Sequence, residues 1–147
     1  MHKSIIPDII NYMKRAAKAL IRDDQGRILV LYRSKTHPRL AHDIDLPGGE
    51  VEHFEQLERG MRRELQEETG LDLVFKRRHR IHVWRPARVA RRYHLYELSL
   101  DTEQPVSISW EHESYRWISD QEFIEHPAID GFMHTVQEWL REQSMAQ

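Results

Sequence analysis

Three glutamates stand close together near the middle of the chain, at positions 64, 67 and 68. On an α-helix, which turns by about 100° per residue, Glu64, Glu67 and Glu68 fall on one side. Leu57 and Met61 share that side and are expected to pack against the protein core. Carboxylates that face inward repel one another and lose hydration, so they must be protonated, pair with cations or bind a metal ion. Hard divalent cations such as Mg²⁺ prefer carboxylate oxygens, and the pattern therefore predicts a metal site.

The other charged residues of this helix are predicted to point away from the three glutamates. Glu58, Arg59, Arg62 and Gln66 fall on the opposite side, which is predicted to face solvent. Arg63 also falls elsewhere on the helical projection. An ordinary solvated acidic face is the alternative interpretation, because glutamate-rich helices commonly lie on protein surfaces.

Turn signals predict the elements that precede this helix. Two strand-like runs, residues 16–22 and 27–33, flank the sequence Asp-Asp-Gln-Gly, which predicts a β-hairpin. A polar loop is predicted over residues 34–45. The chain then turns sharply at Leu-Pro-Gly-Gly, residues 46–49, because proline offers no backbone donor and glycine adopts backbone angles that other residues avoid.

The helix itself is predicted over residues 55–69, with Gly70 as its C-terminal stop. Strands are predicted downstream at residues 73–75, 79–84, 93–100 and 115–118. A capping pattern that begins at Ser119 predicts a short helix from about residue 120. Helically spaced apolar residues predict a last, core-packed helix over residues 130–141; they are Ile129, Phe132, Met133, Val136, Trp139 and Leu140. Strands interrupted by three helices predict an α/β fold with a mixed sheet.

Length and composition limit the classes of protein to consider. The 147 residues predict a single domain that spans residues 1–147. The 22 Lys and Arg nearly balance the 24 Asp and Glu, which argues against a polybasic nucleic-acid binder. The sequence has no cysteine, which excludes a thiol nucleophile, a disulfide framework and cysteine-ligated zinc. No apolar run reaches the roughly 20 residues that span a bilayer, and no signal-peptide core is found, so a cytoplasmic protein is predicted.

Ten histidines raise the question of a zinc site. His79 and His82 are three residues apart on a predicted strand, so their side chains are expected on opposite faces of the sheet. No other spacing is typical of zinc ligands, and the histidines are predicted to be surface or loop residues.

The segment that carries the three glutamates resembles the signature box of the Nudix hydrolases. Gly49 is followed after five residues by Glu55, and after seven more by Arg-Glu-Leu-Gln-Glu-Glu-Thr-Gly-Leu at residues 63–71. All nine defined positions of this 23-residue pattern match. The approach at residues 46–50, the hairpin, and Trp-Ile-Ser at residues 117–119 are also similar to the family. The resemblance implies a Nudix-like α/β/α sandwich that hydrolyses a pyrophosphate bond in a nucleoside diphosphate linked to another moiety.

The resemblance also implies roles for individual residues. The ligands of a bound Mg²⁺ or Mn²⁺ would be Gly49, Glu64, Glu67 and Glu68. Arg63 would orient a glutamate, and Glu55 would support the site. Divalent ions suit this reaction because they neutralise phosphates and lower the pKa of bound water.

The proton of the attacking water is accepted, in different members of the family, by a glutamate of the box or by one on a later loop. Glu64 is therefore one candidate for this catalytic role, and Glu111 and Glu113 are the loop candidates. Ordinary surface acids are the alternative interpretation of the two loop residues.

A local excess of positive charge is expected to contact the substrate. Residues 76–92 contain eight Lys and Arg and no acid, interleaved with aromatic residues and histidines. The substrate-binding candidates, which could hold phosphates or stack on a base, are Arg33, Arg80, Trp84 and Arg88. A solvated loop is the alternative interpretation of residues 76–92, and a strip that binds single-stranded RNA is a further one.

These patterns leave the substrate open. Pro86 lies fifteen residues after Leu71 and is similar to a proline associated with the ADP-ribose hydrolases of the family. Nucleotide sugars, dinucleoside polyphosphates, and ordinary or oxidised nucleoside triphosphates stay in consideration. The predicted partner is a small-molecule nucleotide rather than a nucleic acid or a membrane, and a homodimer is an open expectation. A catalytically silent module that binds nucleotide or RNA is the alternative function, although such members are expected to lose the box glutamates that this chain retains.

Overall fold

The computed structural model describes residues 14–85 and 91–147. Within these residues the strands are β1 Lys14–Arg22, β2 Ile28–Arg33, β3 Ile44–Asp45, β4 Gly48–Val51, β5 Arg80–Trp84, β6 Arg91–Ser99 and β7 His112–Ile118. The α-helices are α1 Leu57–Thr69, α2 Asp120–Glu125 and α3 Gly131–Met145, and a 3₁₀ turn spans Arg77–His79.

All of the described strands belong to one mixed sheet. Its main path runs β3-β2-β1-β6-β5, while β4 pairs with β1 and β7 pairs with β2. Strands β1 and β6 run parallel over their whole length, and the other described pairings are antiparallel. The predicted α/β class with a mixed sheet is therefore confirmed.

Two buried clusters cover the two faces of this sheet, because successive residues of a strand point to opposite faces. One cluster joins strand residues to helix α1; its members include Ile21, Leu29, Leu31, Met61 and Leu65. The other joins strand residues to α2 and α3; its members include Leu20, Ile28, Val30, Phe123, Met133, Val136 and Leu140. The arrangement is the predicted sandwich, with α1 on one side of the sheet and α2 and α3 on the other.

The predicted hairpin is confirmed by the antiparallel pairing of β1 with β2. The predicted strand at residues 73–75 is wrong, since residues 71–76 have no regular structure. Phe75 is buried edge-to-face against Tyr96, so its apolar character serves core packing rather than strand pairing. His79 lies in the 3₁₀ turn and not on a strand.

Two short strands were not predicted. The segment predicted as a polar loop ends in β3, and the predicted turn at residues 46–49 continues into β4. Neither strand is long enough, or rich enough in apolar residues, to give an alternating pattern. Strand β7 begins at His112, three residues earlier than predicted, and α3 continues to Met145.

The apolar stripe of α3 packs as predicted through Met133, Val136 and Leu140, whereas Ile129, just before the helix, is exposed and its predicted core position is wrong. None of the described helices is long and apolar enough to cross a membrane. The assignment of the whole chain to one domain stays a prediction.

Candidate catalytic cavity

Helix α1 places two of the box glutamates against strand β4. The Glu68 side chain is 7% exposed, and its Oε1 accepts a hydrogen bond of 3.1 Å from the Gly48 N–H. The Glu64 side chain is 17% exposed, and a Cβ atom at Gly49 would lie only 3.2 Å from Glu64 Oε2. Glycine at position 49 thus lets the strand approach the carboxylate closely. Glu67 is 57% exposed, so its predicted inward position is wrong.

Arg63 binds several glutamates of the box. Its Nε and Nη2 donate to the two carboxylate oxygens of Glu55 at 2.8 and 2.9 Å. Its Nη1 donates to Glu67 Oε1 at 3.2 Å and to Glu64 Oε1 at 3.3 Å. The helical projection, which placed Arg63 away from the glutamates, is wrong here because a long arginine side chain reaches residues one turn away.

A buried charged cluster lies beside Glu68. Lys18 Nζ donates to Asp45 Oδ1 at 3.0 Å, and His112 Nε2 donates to Asp45 Oδ2 at 3.3 Å. His112 Nδ1 lies 3.9 Å from Glu68 Oε2 and has no hydrogen-bond partner among the described residues. Ligand atoms of Asp45, Glu68 and His112 all lie within 4.8 Å of one another, so this trio could also hold a metal ion.

Glu64 and Glu68, together with Lys18 and Asp45 of this cluster, line one cavity of about 270 Å³. The lining residues are Lys18, Arg33, His37, Arg39, Asp45, Gly48, Gly49, Glu50, Glu64, Glu68 and Glu111. The cavity therefore combines carboxylates, which attract cations, with basic side chains, which attract anions. This pairing suits a metal ion together with a phosphate-bearing ligand.

Comparison with known proteins agrees with this geometry. The sequence model of the NUDIX domain matches residues 13–140, which is most of the chain. The chain belongs to the Nudix family. Together with the solved Nudix hydrolases described next, this membership identifies a Nudix-type pyrophosphohydrolase.

Several solved structures are similar to this Nudix chain. The MutT protein from Methanosarcina mazei Go1 is 25% identical with a TM-score of 0.71, over 89% of this chain and 94% of that one. A MutT NUDIX hydrolase from Burkholderia pseudomallei is 25% identical with a TM-score of 0.67, over 85% and 95%. A NUDIX hydrolase from Nitrosomonas europaea has a TM-score of 0.73 over 91% and 73%; at 18% identity it shows the fold alone. Comparison with curated proteins gave no match.

The electrostatics of the Nudix site favour a bound cation. Burial raises the pKa of Glu64, and it raises that of Glu68 well above the usual range. Burial alone would also raise the pKa of Asp45, but Lys18, the hydrogen bond from His112, and Arg33 together lower it. The partners of Asp45 thus stabilise its charged form, whereas burial disfavours the charged forms of Glu64 and Glu68, which a bound cation would stabilise. Their oxygen donors fit Mg²⁺ or Mn²⁺.

The cavity brings together only part of the predicted substrate and catalytic set. Besides Gly49, Glu64 and Glu68, it contains Arg33 and Glu111. The Arg33 guanidinium is held in place, since Nη2 donates to Asp130 Oδ2 at 2.8 Å. Its Nε lies 3.5 Å from Asp45 Oδ2 and is buried without a hydrogen-bond partner among the described residues.

The lining of the cavity does not include Glu113, Arg80 or Trp84. Glu113 lies on β7 rather than on a loop, and its Oε1 is 2.9 Å from His42 Nδ1. Arg80 Nη2 donates to Glu58 Oε2 at 3.1 Å. The Trp84 ring packs edge-to-face against other aromatic rings, namely those of His82, Phe132 and Trp139. Arg88 and Pro86 lie outside the described residues.

Two further predictions about exposure are wrong. Glu58 was predicted to face solvent, but its side chain is 11% exposed and accepts a 2.6 Å hydrogen bond from the Tyr96 hydroxyl. The helix is flanked here by β6 and by the segment before β5, which the projection of an isolated helix omits. His94 and His112 are buried, not surface or loop residues. The residues that sequence reasoning missed, namely Lys18, Asp45 and His112, carry no spacing signal because they come from three separate strands.

Proposed function

We propose that this Nudix enzyme hydrolyses the pyrophosphate bond of a small nucleoside diphosphate derivative, such as ADP-ribose, a nucleotide sugar or a nucleoside triphosphate. The observation that supports this proposal is the cavity that combines Glu64 and Glu68 with Lys18, Arg33 and Arg39. Carboxylates alone would bind a cation, and basic residues alone would bind an anion. Their combination suits a substrate whose phosphates contact the basic residues directly and the carboxylates through a bound cation.

Glu64, Glu67 and Glu68 would hold Mg²⁺ or Mn²⁺, with the Gly49 backbone at the edge of the site. When bound, the ion would neutralise phosphate charge and activate water. Arg63 keeps the Glu64 and Glu67 carboxylates in place through its hydrogen bonds at 3.3 and 3.2 Å. It therefore acts as a positioning residue.

Arg33 and Arg39 would bind the phosphates, since guanidinium groups match phosphate oxygens in geometry and charge. Glu111 would accept a proton from the attacking water. The water oxygen then forms a bond to one phosphorus while the bond from that phosphorus to the bridging oxygen breaks. Glu64 is the second candidate for proton acceptor, because it lines the same cavity.

Substrate contact by Arg80, Trp84 and Arg88 stays a prediction, as do the homodimer and the cytoplasmic location. Arg80 and Trp84 gain no support from the cavity, whose lining includes neither. Arg33 is the substrate-binding candidate that the cavity supports.

The proposal is tested by analysing the products formed with Mg²⁺ from a panel of compounds. The panel contains ADP-ribose, nucleotide sugars, dinucleoside polyphosphates, ordinary and oxidised nucleoside triphosphates, and capped RNA. We expect turnover of one small-nucleotide class, reduced at least about a hundredfold in Glu67→Gln. Because the Glu67 side chain is exposed, the melting temperature of the Glu67→Gln variant should equal that of the wild type.

The matched control is Glu138→Gln, which changes an exposed, arginine-paired glutamate on helix α3. This variant should retain the wild-type rate. No turnover of any small nucleotide with Mg²⁺ or Mn²⁺, or a near-normal rate in Glu67→Gln, would contradict the proposal.

A further inference from the structure

A second cavity lies between α1 and the segment that leads into β5, and we call it the basic groove. Its volume is about 620 Å³, and it is lined by Gln56, Glu58, Arg59, Arg62, Val74, Phe75, Lys76, Arg77 and Arg80. Five of these residues are cationic and only one is acidic, in a chain whose net charge is −2. The groove shares no lining residue with the catalytic cavity.

The two cavities use different sides of the same helix. At about 100° per residue, Arg59 and Arg62 fall on the side opposite Glu64 and Glu68. The basic groove is therefore separated from the catalytic carboxylates by the body of α1. A ligand in the groove does not need to contact the catalytic cavity.

Part of the positive charge in the groove is not neutralised by nearby acids. Arg62 Nε pairs with Asp72 Oδ1 at 2.7 Å, and Arg80 Nη2 pairs with the Glu58 carboxylate. Arg59, Lys76 and Arg77 are exposed, and no ion pair within 4.0 Å joins them to the carboxylates of residues 14–85 and 91–147. Three cations are thus available to an external anion.

The backbone that presents these cations is held by local hydrogen bonds. The Lys76 N–H donates to His79 Nδ1 at 2.9 Å, and the His79 N–H donates to the Lys76 carbonyl at 2.9 Å. Phe75, next to Lys76, is buried in the core. The pKa of His79 is lowered, first by partial burial and then by the positive charges of Arg78 and Lys76. The effect of these two charges agrees with a positive potential at this turn.

We propose that the basic groove binds a run of phosphate groups, supplied either by the backbone of a single-stranded RNA or by a linear oligophosphate. Guanidinium groups bind phosphate oxygens in pairs, and several cations in one groove can contact successive phosphates. The volume falls within the range of roughly 300–1,000 Å³ that is usual for ligand sites. Val74, 56% exposed, adds apolar surface that a ribose or base can contact.

The test measures the fluorescence anisotropy of a labelled ten-nucleotide RNA with a 5′-hydroxyl end, in the presence of EDTA. This probe has no pyrophosphate bond, so binding is separated from hydrolysis. The triple variant Arg59→Ser, Lys76→Ser, Arg77→Ser should bind at least tenfold more weakly than wild type. The slope of log K against log salt is negative, and in the triple variant it should become less negative by about 2. Each lost phosphate contact to a single strand contributes about 0.7 to this change.

The matched control is the triple variant Arg27→Ser, Arg116→Ser, Arg141→Ser, which removes three exposed arginines outside the groove. It should bind RNA like wild type. If tripolyphosphate displaces the RNA at a similar concentration, a run of phosphates is sufficient for binding. If RNA binds but tripolyphosphate does not displace it, the RNA strand is the ligand.

Three results would overturn the proposal. They are no RNA binding by the wild type, equal RNA binding by the two triple variants, and displacement of RNA by a glutamate-rich peptide as effectively as by tripolyphosphate. The groove variant should keep wild-type turnover of small nucleotides, since it changes no residue of the catalytic cavity. The measurement of RNA binding therefore tests the groove, and the measurement of nucleotide turnover separately tests the proposed function.

Discussion

His112 Nδ1 lies 3.9 Å from Oε2 of Glu68, and both side chains are almost completely buried. The same imidazole donates from Nε2 to Asp45, whose other carboxylate oxygen binds the Lys18 ammonium. A box glutamate is thereby packed against a charged cluster contributed by β1, β3 and β7. This contact restricts where the Glu68 carboxylate can lie.

Replacement of His112 is expected to weaken metal binding. His112→Phe removes the donor to Asp45 and the polar atom beside Glu68, and losses of such supporting contacts commonly cost about ten- to a hundredfold in metal affinity. His112→Gln keeps an N–H that can reach Asp45, so it should retain most of the affinity. Titration calorimetry with Mn²⁺ measures both variants. His53→Phe, at an exposed position, is the control, and wild-type affinity in a folded His112→Phe would refute this role.

Glu111 and Glu113 should respond differently to the same substitution. Glu111 lines the cavity that contains Glu64 and Glu68, whereas Glu113 contacts His42 outside it. Glu111→Gln is expected to lower kcat by about a hundredfold or more, as loss of a general base does, with little change in KM. Glu113→Gln should retain wild-type kinetics. If both variants are normal, Glu64 becomes the candidate for proton acceptor.

Gly48 is required where β4 passes close to β1. Its φ is 125°, and a Cβ at this position would lie 2.0 Å from the Ala17 carbonyl oxygen. Gly48→Ala should therefore lower the free energy of unfolding by at least about 3 kcal/mol. Gly26 has a φ of 76° but open space around it, so Gly26→Ala should cost only about 1 kcal/mol. Urea unfolding compares the two, and equal losses would show that the close contact is unimportant.

His94 should make the fold sensitive to acid. Burial, and then Arg80, Arg15 and Arg92, lower the pKa of His94 to about 4, and neither ring nitrogen has a hydrogen-bond partner among the described residues. The folded state keeps His94 neutral while the unfolded state binds a proton below its ordinary pKa near 6.5. Stability contributed in this way is present above about pH 6.5 and is lost as the pH falls towards 4.

The measurement for His94 is urea unfolding at pH 7.5 and pH 5. The wild type should lose on the order of 1–3 kcal/mol more than His94→Leu over this interval. His53→Leu, at an exposed position, should keep the wild-type pH dependence. An unchanged pH dependence in a folded His94→Leu would show that another group causes the acid sensitivity.

The sequence by itself determined helix α1, the hairpin of β1 and β2, the α/β class, and the candidate metal ligands Glu64 and Glu68. These features depend on periodicity, turn residues and fixed spacings within short contiguous segments, which one sequence displays directly. The match of the box to the Nudix pattern added the reaction class for the same reason, since its nine positions lie within 23 residues.

Only the tertiary structure decided what surrounds those glutamates. Lys18, Asp45 and His112 meet because β1, β3 and β7 are brought together in one sheet, and no local spacing records that pairing. The burial of Glu58 and the contacts of Arg63 likewise depend on neighbouring elements and on long side chains, which an isolated helical projection leaves out. Local patterns fix which residues share a helix or a strand, but contacts between distant residues are fixed by the order and register of the strands.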